Sequence, residues 1–145
     1  MKLQVKRLRP DAKLPTYGSA DAAGMDLYAC LDGSEVIAPG QTRFLSTGLA
    51  IAVPRGYAGL VFARSGMACK RGLAPANKVG VIDADYRGEV TVAIYNHGQE
   101  PQVVEPGDRV AQLVIVPVLQ LEPEWAEALP DTQRGSGGFG STGRA

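Results

Sequence analysis

Asp83 and Asp85 stand two residues apart and next to Tyr86, inside the run Gly80-Val81-Ile82-Asp83-Ala84-Asp85-Tyr86-Arg87-Gly88. Alternate side chains of an extended chain share a face, so the two carboxylates fall on one side unless the backbone bends between them. Such a pair beside an aromatic ring suits metal binding or activation of a water better than it suits a core. The competing reading is a polar turn, solvated at a sheet edge. Turn glycines at both ends of the run predict a β-hairpin.

The remaining acid–base residues narrow the chemistry. The one histidine, His97 in Asn96-His97-Gly98-Gln99, reads as an exposed residue of a hairpin turn between Val90–Tyr95 and Gln102–Val104. Ser-His-Asp and Cys-His triads are thereby disfavoured, and general acid–base work falls to carboxylates. Cys30 and Cys69 lack metal-ligand spacing. One disulfide remains open, but two free thiols are expected of a cytoplasmic protein.

Three further segments carry polar groups in otherwise apolar settings. Ala63-Arg64-Ser65-Gly66-Met67-Ala68 follows an apolar strand. A short helix beginning at Ser65 would aim free backbone N–H groups outward beside a guanidinium and a hydroxyl, an arrangement that favours phosphate oxygens. Its plainer reading is a helix cap with a surface salt bridge. In Ala23-Gly24-Met25-Asp26-Leu27-Tyr28 an aspartate opens a strand, which by itself is turn chemistry. Gln112 interrupts the apolar stretch after Pro106-Gly107-Asp108-Arg109, and a buried amide needs a partner from backbone or ligand. The C-terminal Arg-Gly-Ser-Gly-Gly-Phe-Gly-Ser-Thr-Gly-Arg-Ala holds a literal G-x-G-x-x-G at Gly135, Gly137 and Gly140. A dinucleotide fingerprint must follow a strand and open a helix, so the Rossmann reading is rejected. Such a tail can still wrap phosphates with its N–H groups, while Arg134, Ser141 and Thr142 add charge and hydroxyls and Phe139 a ring to stack on a base.

The elements that must position these groups are strands. The 145 residues fit one domain with a core of its own, and 18 glycines and 10 prolines argue against a helical bundle. Strands are predicted at Leu27–Leu31, Arg43–Val53, Ala58–Phe62, Val79–Ile82, Glu89–Tyr95 and Arg109–Val118. Val90, Val92 and Ile94 alternate with Thr91, Ala93 and Tyr95 as in a half-buried antiparallel strand. Val110–Val116 is almost continuously apolar, as in a strand covered on both faces. Short helical pieces are expected at Ser65–Arg71 and within Pro123–Leu129. The fold class is therefore all-β, a sandwich or barrel. Residues 1–118 form its body, 119–133 a connecting arm and 134–145 a mobile Gly-rich segment. From Val118 to Arg134 the extended chain reaches about 50 Å at roughly 3.3 Å per residue, enough to lie on a neighbour.

Charge supplies the last constraint. Formal net charge is zero, which disfavours nonspecific coating of polymeric nucleic acid. Yet Arg55, Arg64, Lys70, Arg71, Lys78 and Arg87 face only Asp83 and Asp85 between positions 55 and 87, a balance suited to a small polyanion. No apolar run approaches the roughly 20 residues of a membrane span, and the start lacks a signal-peptide block. A cytoplasmic location without membrane contact is expected.

Taken in order, Ala23–Tyr28, Ala63–Ala68, Gly80–Glu89, Gly107–Val114 and Arg134–Gly143 resemble the five motifs of the homotrimeric dUTPase family. The resemblance covers nearly the whole chain. It departs at Ala63, where the family usually has proline, and at Met67, where leucine is commoner; neither change removes a charged or hydrogen-bonding group. It implies a jelly-roll-like homotrimer with three active sites, each built from three chains. It implies hydrolysis of dUTP to dUMP and pyrophosphate with Mg²⁺ on the triphosphate, limiting uracil entry into DNA and supplying dUMP for thymidylate synthesis.

By the same resemblance, Asp83 is the water-activating carboxylate. Asn77, Gly80, Val81, Ile82 and Tyr86 belong to the hairpin that takes uracil and deoxyribose. Arg64, Ser65, Gly66 and Gln112 are phosphate contacts, and Asp26 reaches the metal region through water. Arg134, Phe139, Gly140, Ser141 and Thr142 form the clamp supplied by the tail. A hairpin pressed on uracil C5 would exclude the thymine methyl by collision, and Tyr86 against the sugar would crowd a 2′-hydroxyl. Two alternatives are a dCTP deaminase, which shares the fold, and a non-catalytic nucleotide-binding sandwich.

Overall fold

The computed structural model describes residues 1–143; Arg144 and Ala145, the end of the expected tail clamp, lie outside the described residues. The chain is nearly all β. Its strands are β1 (Gln4–Arg7), β2 (Thr16–Tyr17), β3 (Met25–Tyr28), β4 (Glu35–Ile37), β5 (Thr42–Ala52), β6 (Tyr57–Phe62), β7 (Leu73–Pro75), β8 (Gly80–Ile82), β9 (Glu89–Asn96), β10 (Gln102–Val104) and β11 (Arg109–Pro117). They pair antiparallel in a sheet of order β1-β5-β9-β7, a sheet of order β2-β3-β11-β6-β8 and a ribbon of β10 with β4. The short helical piece expected near Ser65 is a single π-helical turn, Gly66–Lys70.

The period-2 pattern places the core. Val90, Val92 and Ile94 of β9 are buried, and they join Leu45, Leu49 and Ile51 of β5 and Leu27 and Leu113 of the other sheet in one apolar cluster. In β11, Val110, Ala111 and Leu113 are buried, but Gln112, Val114 and Val116 are only half-buried. The expectation that β11 is covered on both faces is not met within the chain: among the described residues no layer lies over its outer face.

The longest strand is interrupted on purpose. The β5–β9 register slips between Ser46 and Ala50, and the extra residues bulge. Gly48 sits at φ +67°, and a Cβ there would meet Ala12 Cβ at 2.8 Å and Cys30 Sγ at 2.9 Å. The Thr47 hydroxyl donates to Val90 O at 2.5 Å, which satisfies a polar group with no solvent exposure. Beneath the bulge Cys30 is buried, whereas Cys69 is exposed, and both are free thiols. Burial pushes the Cys30 thiol up; its hydrogen bond to Asp11, 3.3 Å long, holds that carboxyl below the usual range.

Three other expectations change. Gly80–Gly88 is not a ladder hairpin, because β8 pairs with β6 while β9 pairs with β5 and β7. The segment instead steps from one sheet to the other. His97 is exposed but does not close a hairpin, since β10 pairs with β4. Buried Asn96 redirects the chain there: its Nδ2 donates to Ile37 O at 2.9 Å and Glu100 O at 2.8 Å, and its Oδ1 accepts from Gly98 N–H at 2.9 Å. Pro123–Leu129 forms no helical turn. No helix among the described residues is long and apolar enough to cross a membrane.

Candidate active site

Two clefts hold most of the expected residues, and they share no lining side chain. The first, about 340 Å³, opens where β8 at the edge of one sheet lies beside β7 and β9 of the other. That volume is at the small end of the roughly 300–1,000 Å³ typical of small-molecule sites. Asn77, Gly80, Val81, Ile82, Asp83 and Tyr86 line it, as expected, and Phe44 and Glu89 join them unforeseen.

The backbone turns between the two aspartates, with Tyr86 N–H donating to Asp83 O at 3.1 Å. Asp83 therefore faces the cleft and Asp85 does not line it. This separation removes the paired-carboxylate metal reading, and no group of three His, Cys, Asp or Glu among the described residues is placed to hold an ion. The Tyr86 hydroxyl donates to Glu89 O at 2.9 Å. Its ring folds so closely over Gly88 that a Cβ there would lie 2.4 Å from the hydroxyl oxygen. A side chain at 88 would therefore displace the tyrosine ring from this position.

The second cleft, about 240 Å³, contains Asp26, Arg64, Ser65, Arg109 and Gln112. Asp26, its side chain 14% exposed, takes Arg64 Nε at 2.8 Å on one oxygen and Arg109 Nη1 at 3.5 Å on the other. Two guanidinium groups against one carboxylate leave a positive surplus for an anion. Gln112 finds a backbone partner, donating from Nε2 to Ala63 O at 2.8 Å, and so holds the residue before Arg64. Ser65 makes no side-chain cap bond, and both it and Gly66 are exposed at the start of the π-helical turn. The cap reading fails, while the salt bridge of that plainer reading is present.

Sequence reasoning missed Arg109, Phe44 and Glu89 as cleft residues. The expected clamp residues Arg134, Phe139, Gly140, Ser141 and Thr142 line neither cleft of their own chain. Arg134 Nε donates to Gly137 O at 2.6 Å, and Phe139 is fully exposed.

A magnesium ion meets a particular donor set here. Asp26 has both oxygens engaged by arginines, and Asp83 stands as a single carboxylate. Such residues fit an ion that arrives on substrate phosphates and keeps its waters, the usual habit of Mg²⁺, rather than an all-protein cage.

Two antiparallel layers, with a carboxylate-bearing cleft at their open edge and an arginine cleft on an outer face, make a jelly-roll-like β-fold. A model of the dUTPase family matches residues 10–143. The deoxyuridine 5'-triphosphate nucleotidohydrolase of Syntrophotalea carbinolica is 54% identical over 141 residues, covering 97% of this chain and 96% of its own. That of Desulfitobacterium hafniense (strain DSM 10664 / DCB-2) is 53% identical over 146 residues, covering 99% and 97%. Among solved structures, the dUTPase of Staphylococcus bacteriophage 80alpha with dUPNHPP is similar at a TM-score of 0.92 and 30% identity over 99% of both chains. A mutant dUTPase from phage phi11 of S. aureus, described as revealing coordination of a structural Mg(II) ion, is similar at 0.81 and 27% identity over 88% of this chain and 98% of its own. The chain belongs to the dUTPase family.

Proposed function

We propose that this chain is a dUTP diphosphatase, hydrolysing dUTP to dUMP and pyrophosphate in sites shared by three copies. One observation carries the reading: Asp83 presents a carboxylate with no hydrogen-bond partner among the described residues, inside a cleft of nucleoside size. The other acid of that cleft, Glu89, is tied to the β5 bulge.

Asp83 holds and polarises one water in line with the α-phosphorus. The water oxygen bonds to that phosphorus as the bond to the bridging oxygen of the β-phosphate breaks. Pyrophosphate leaves with the electron pair, and the water's proton passes through the carboxylate to solvent. A carboxylate is a weak base at neutral pH, so alignment contributes more than proton affinity. Arg64, Ser65, Gly66 and Gln112 hold phosphate oxygens and stabilise the charge that builds there. Asp26 would meet, through water, a magnesium ion carried on the triphosphate, and that ion would supply further charge neutralisation. The backbone of Gly80, Val81 and Ile82 with Asn77 takes uracil, leaving no room at C5 for a methyl. Tyr86 lies on the sugar and excludes a 2′-hydroxyl.

The separation of the two clefts supports a shared site. Asp26 and Gln112 lie on the outer face of their sheet, in register with Phe62. Beside them runs the apolar row Val81–Leu60–Val114, in which Val81 is exposed and the other two half-buried. A second copy seated on that row buries it and brings its own groups to the arginine cleft. The arm 119–133 then carries the segment 134–145 to another copy, where Arg134, Phe139, Gly140, Ser141 and Thr142 close over the nucleotide. The products fit a cytoplasmic role in keeping uracil out of DNA and feeding thymidylate synthesis.

Pyrophosphate release from dUTP, dTTP, UTP and dCTP, with and without Mg²⁺, tests the proposal. Release from dUTP alone, greatest with the ion, is expected. Ammonia release from dCTP would instead indicate a deaminase, and dUTP binding without turnover a sensor.

A further inference from the structure

Glu89 stands at an unusual junction: its backbone closes the catalytic turn and its side chain plugs the bulge of β5. On one side, Tyr86 N–H donates to Asp83 O at 3.1 Å, Arg87 Nη1 donates to Ala84 O at 2.8 Å and to Tyr86 O at 2.9 Å, and the Tyr86 hydroxyl donates to Glu89 O at 2.9 Å. On the other, Glu89 Oε1 accepts from Gly48 N–H at 2.9 Å and from the Ser46 hydroxyl. Gly48 N–H lies where the β5–β9 ladder slips between Ser46 and Ala50, and it is shared between the carboxylate oxygen at 2.9 Å and the Ser46 hydroxyl at 3.1 Å, which together replace the acceptor the interrupted ladder fails to provide. The residue is half-buried and also lines the cleft that contains Asp83.

We propose that Glu89 is a positioning residue that fixes the Asp83–Gly88 turn to the rigid β5–β9 pair, and thereby sets both the aim of Asp83 and the height of the Tyr86 ring over the sugar. The inference rests on the hydrolase reading of the same cleft. The turn itself is exposed from Asp85 to Gly88, and it has no sheet partner of its own. Among the described residues its ends are β8, paired with β6, and Glu89, paired with Ala50 at the edge of the bulge. An acceptor at position 89 that reaches the bulge therefore decides how far the turn moves. A misplacement near 1 Å at a reacting group is enough to cost about a hundredfold in rate.

Glu89→Ala, Glu89→Gln and Ser46→Ala, each measured with dUTP and UTP, test this. Glu89→Gln keeps a side-chain oxygen for Gly48 N–H and should keep the wild-type preference for dUTP. Glu89→Ala should lower kcat by about tenfold or more and narrow the ratio of kcat/KM for dUTP over UTP, because water alignment and sugar discrimination loosen together. Ser46→Ala, which removes the hydroxyl that donates to Glu89 and accepts from Gly48 N–H but leaves the carboxylate in place, should fall between them. Amide hydrogen exchange read at residues 83–88 should quicken in Glu89→Ala and not in Glu89→Gln, a readout independent of any activity. Unchanged exchange and an unchanged dUTP-to-UTP ratio in Glu89→Ala would overturn the proposal, as would equal losses in the Ala and Gln variants. A wild-type protein that releases no pyrophosphate from dUTP would instead overturn the hydrolase reading, while the exchange result would still decide the role of Glu89.

Discussion

Asp83 and Asp26 carry the same functional group, and their neighbours give them opposite work. Asp26 is nearly enclosed and held by Arg64 and Arg109, whereas Asp83 is exposed in a cleft with its oxygens open. One carboxylate holds two guanidinium groups; the other has its oxygens open to a water. Replacing Asp83 by Asn keeps the shape and removes the charge. That variant should bind a non-hydrolysable dUTP analogue within a few-fold of the parent yet lose about 10²–10⁴ in kcat. Calorimetry and pyrophosphate release measure the two separately, and turnover near the parent's would remove Asp83 from the mechanism. That Asp83, Arg64 and Ser65 would line a cleft was legible in their local context. The place of Arg109 was not, because its partner Asp26 is far away in the chain and only the β3–β11 pairing brings them together. Glu89 was hidden for the same reason: its meaning lies in a bulge on another strand.

Strands show in sequence to the degree that they are long and half-buried. β5, β6, β9 and β11 were legible within a residue or two from their apolar runs. β1, β2, β4 and β7 were not: they have two to four residues each, and β1 and β2 are largely exposed. Pro75 further disguised β7, although proline is tolerated there because β7 is an edge strand. Glycines at both ends of 80–88 looked like a hairpin, yet pairing is decided by non-local partners that a local pattern does not name. The β5 bulge is joined to the Asp83–Gly88 turn through Glu89. Gly48→Ala would force a side chain into a left-handed backbone and against Ala12 and Cys30. It should destabilise the protein by about 2–4 kcal/mol, from backbone strain and overpacking together. Urea unfolding measures this, and an unchanged midpoint would show that the bulge relaxes freely.

Across the whole molecule the described arm stands away from its own body. Among the described residues the last backbone hydrogen bond to the body is Val118 N–H to Gly56 O at 2.9 Å, and beyond it Leu119, Leu121, Trp125 and Leu129 are more than 80% exposed. Apolar groups so placed gain by burial on another copy, at about 25 cal/mol per Å² of apolar surface. Deleting residues 134–145 should therefore leave the trimer intact in sedimentation while removing most dUTP hydrolysis; a truncated protein working at the full rate would refute the clamp. The central claim concerns Asp83 and one water. A crystal structure of the protein with a non-hydrolysable dUTP analogue and Mg²⁺ tests it most directly. A water is expected within hydrogen-bond reach of the Asp83 carboxylate, about 2.6–3.2 Å, and in line with the α-phosphorus. A nucleotide bound with its α-phosphorus remote from that carboxylate would contradict it.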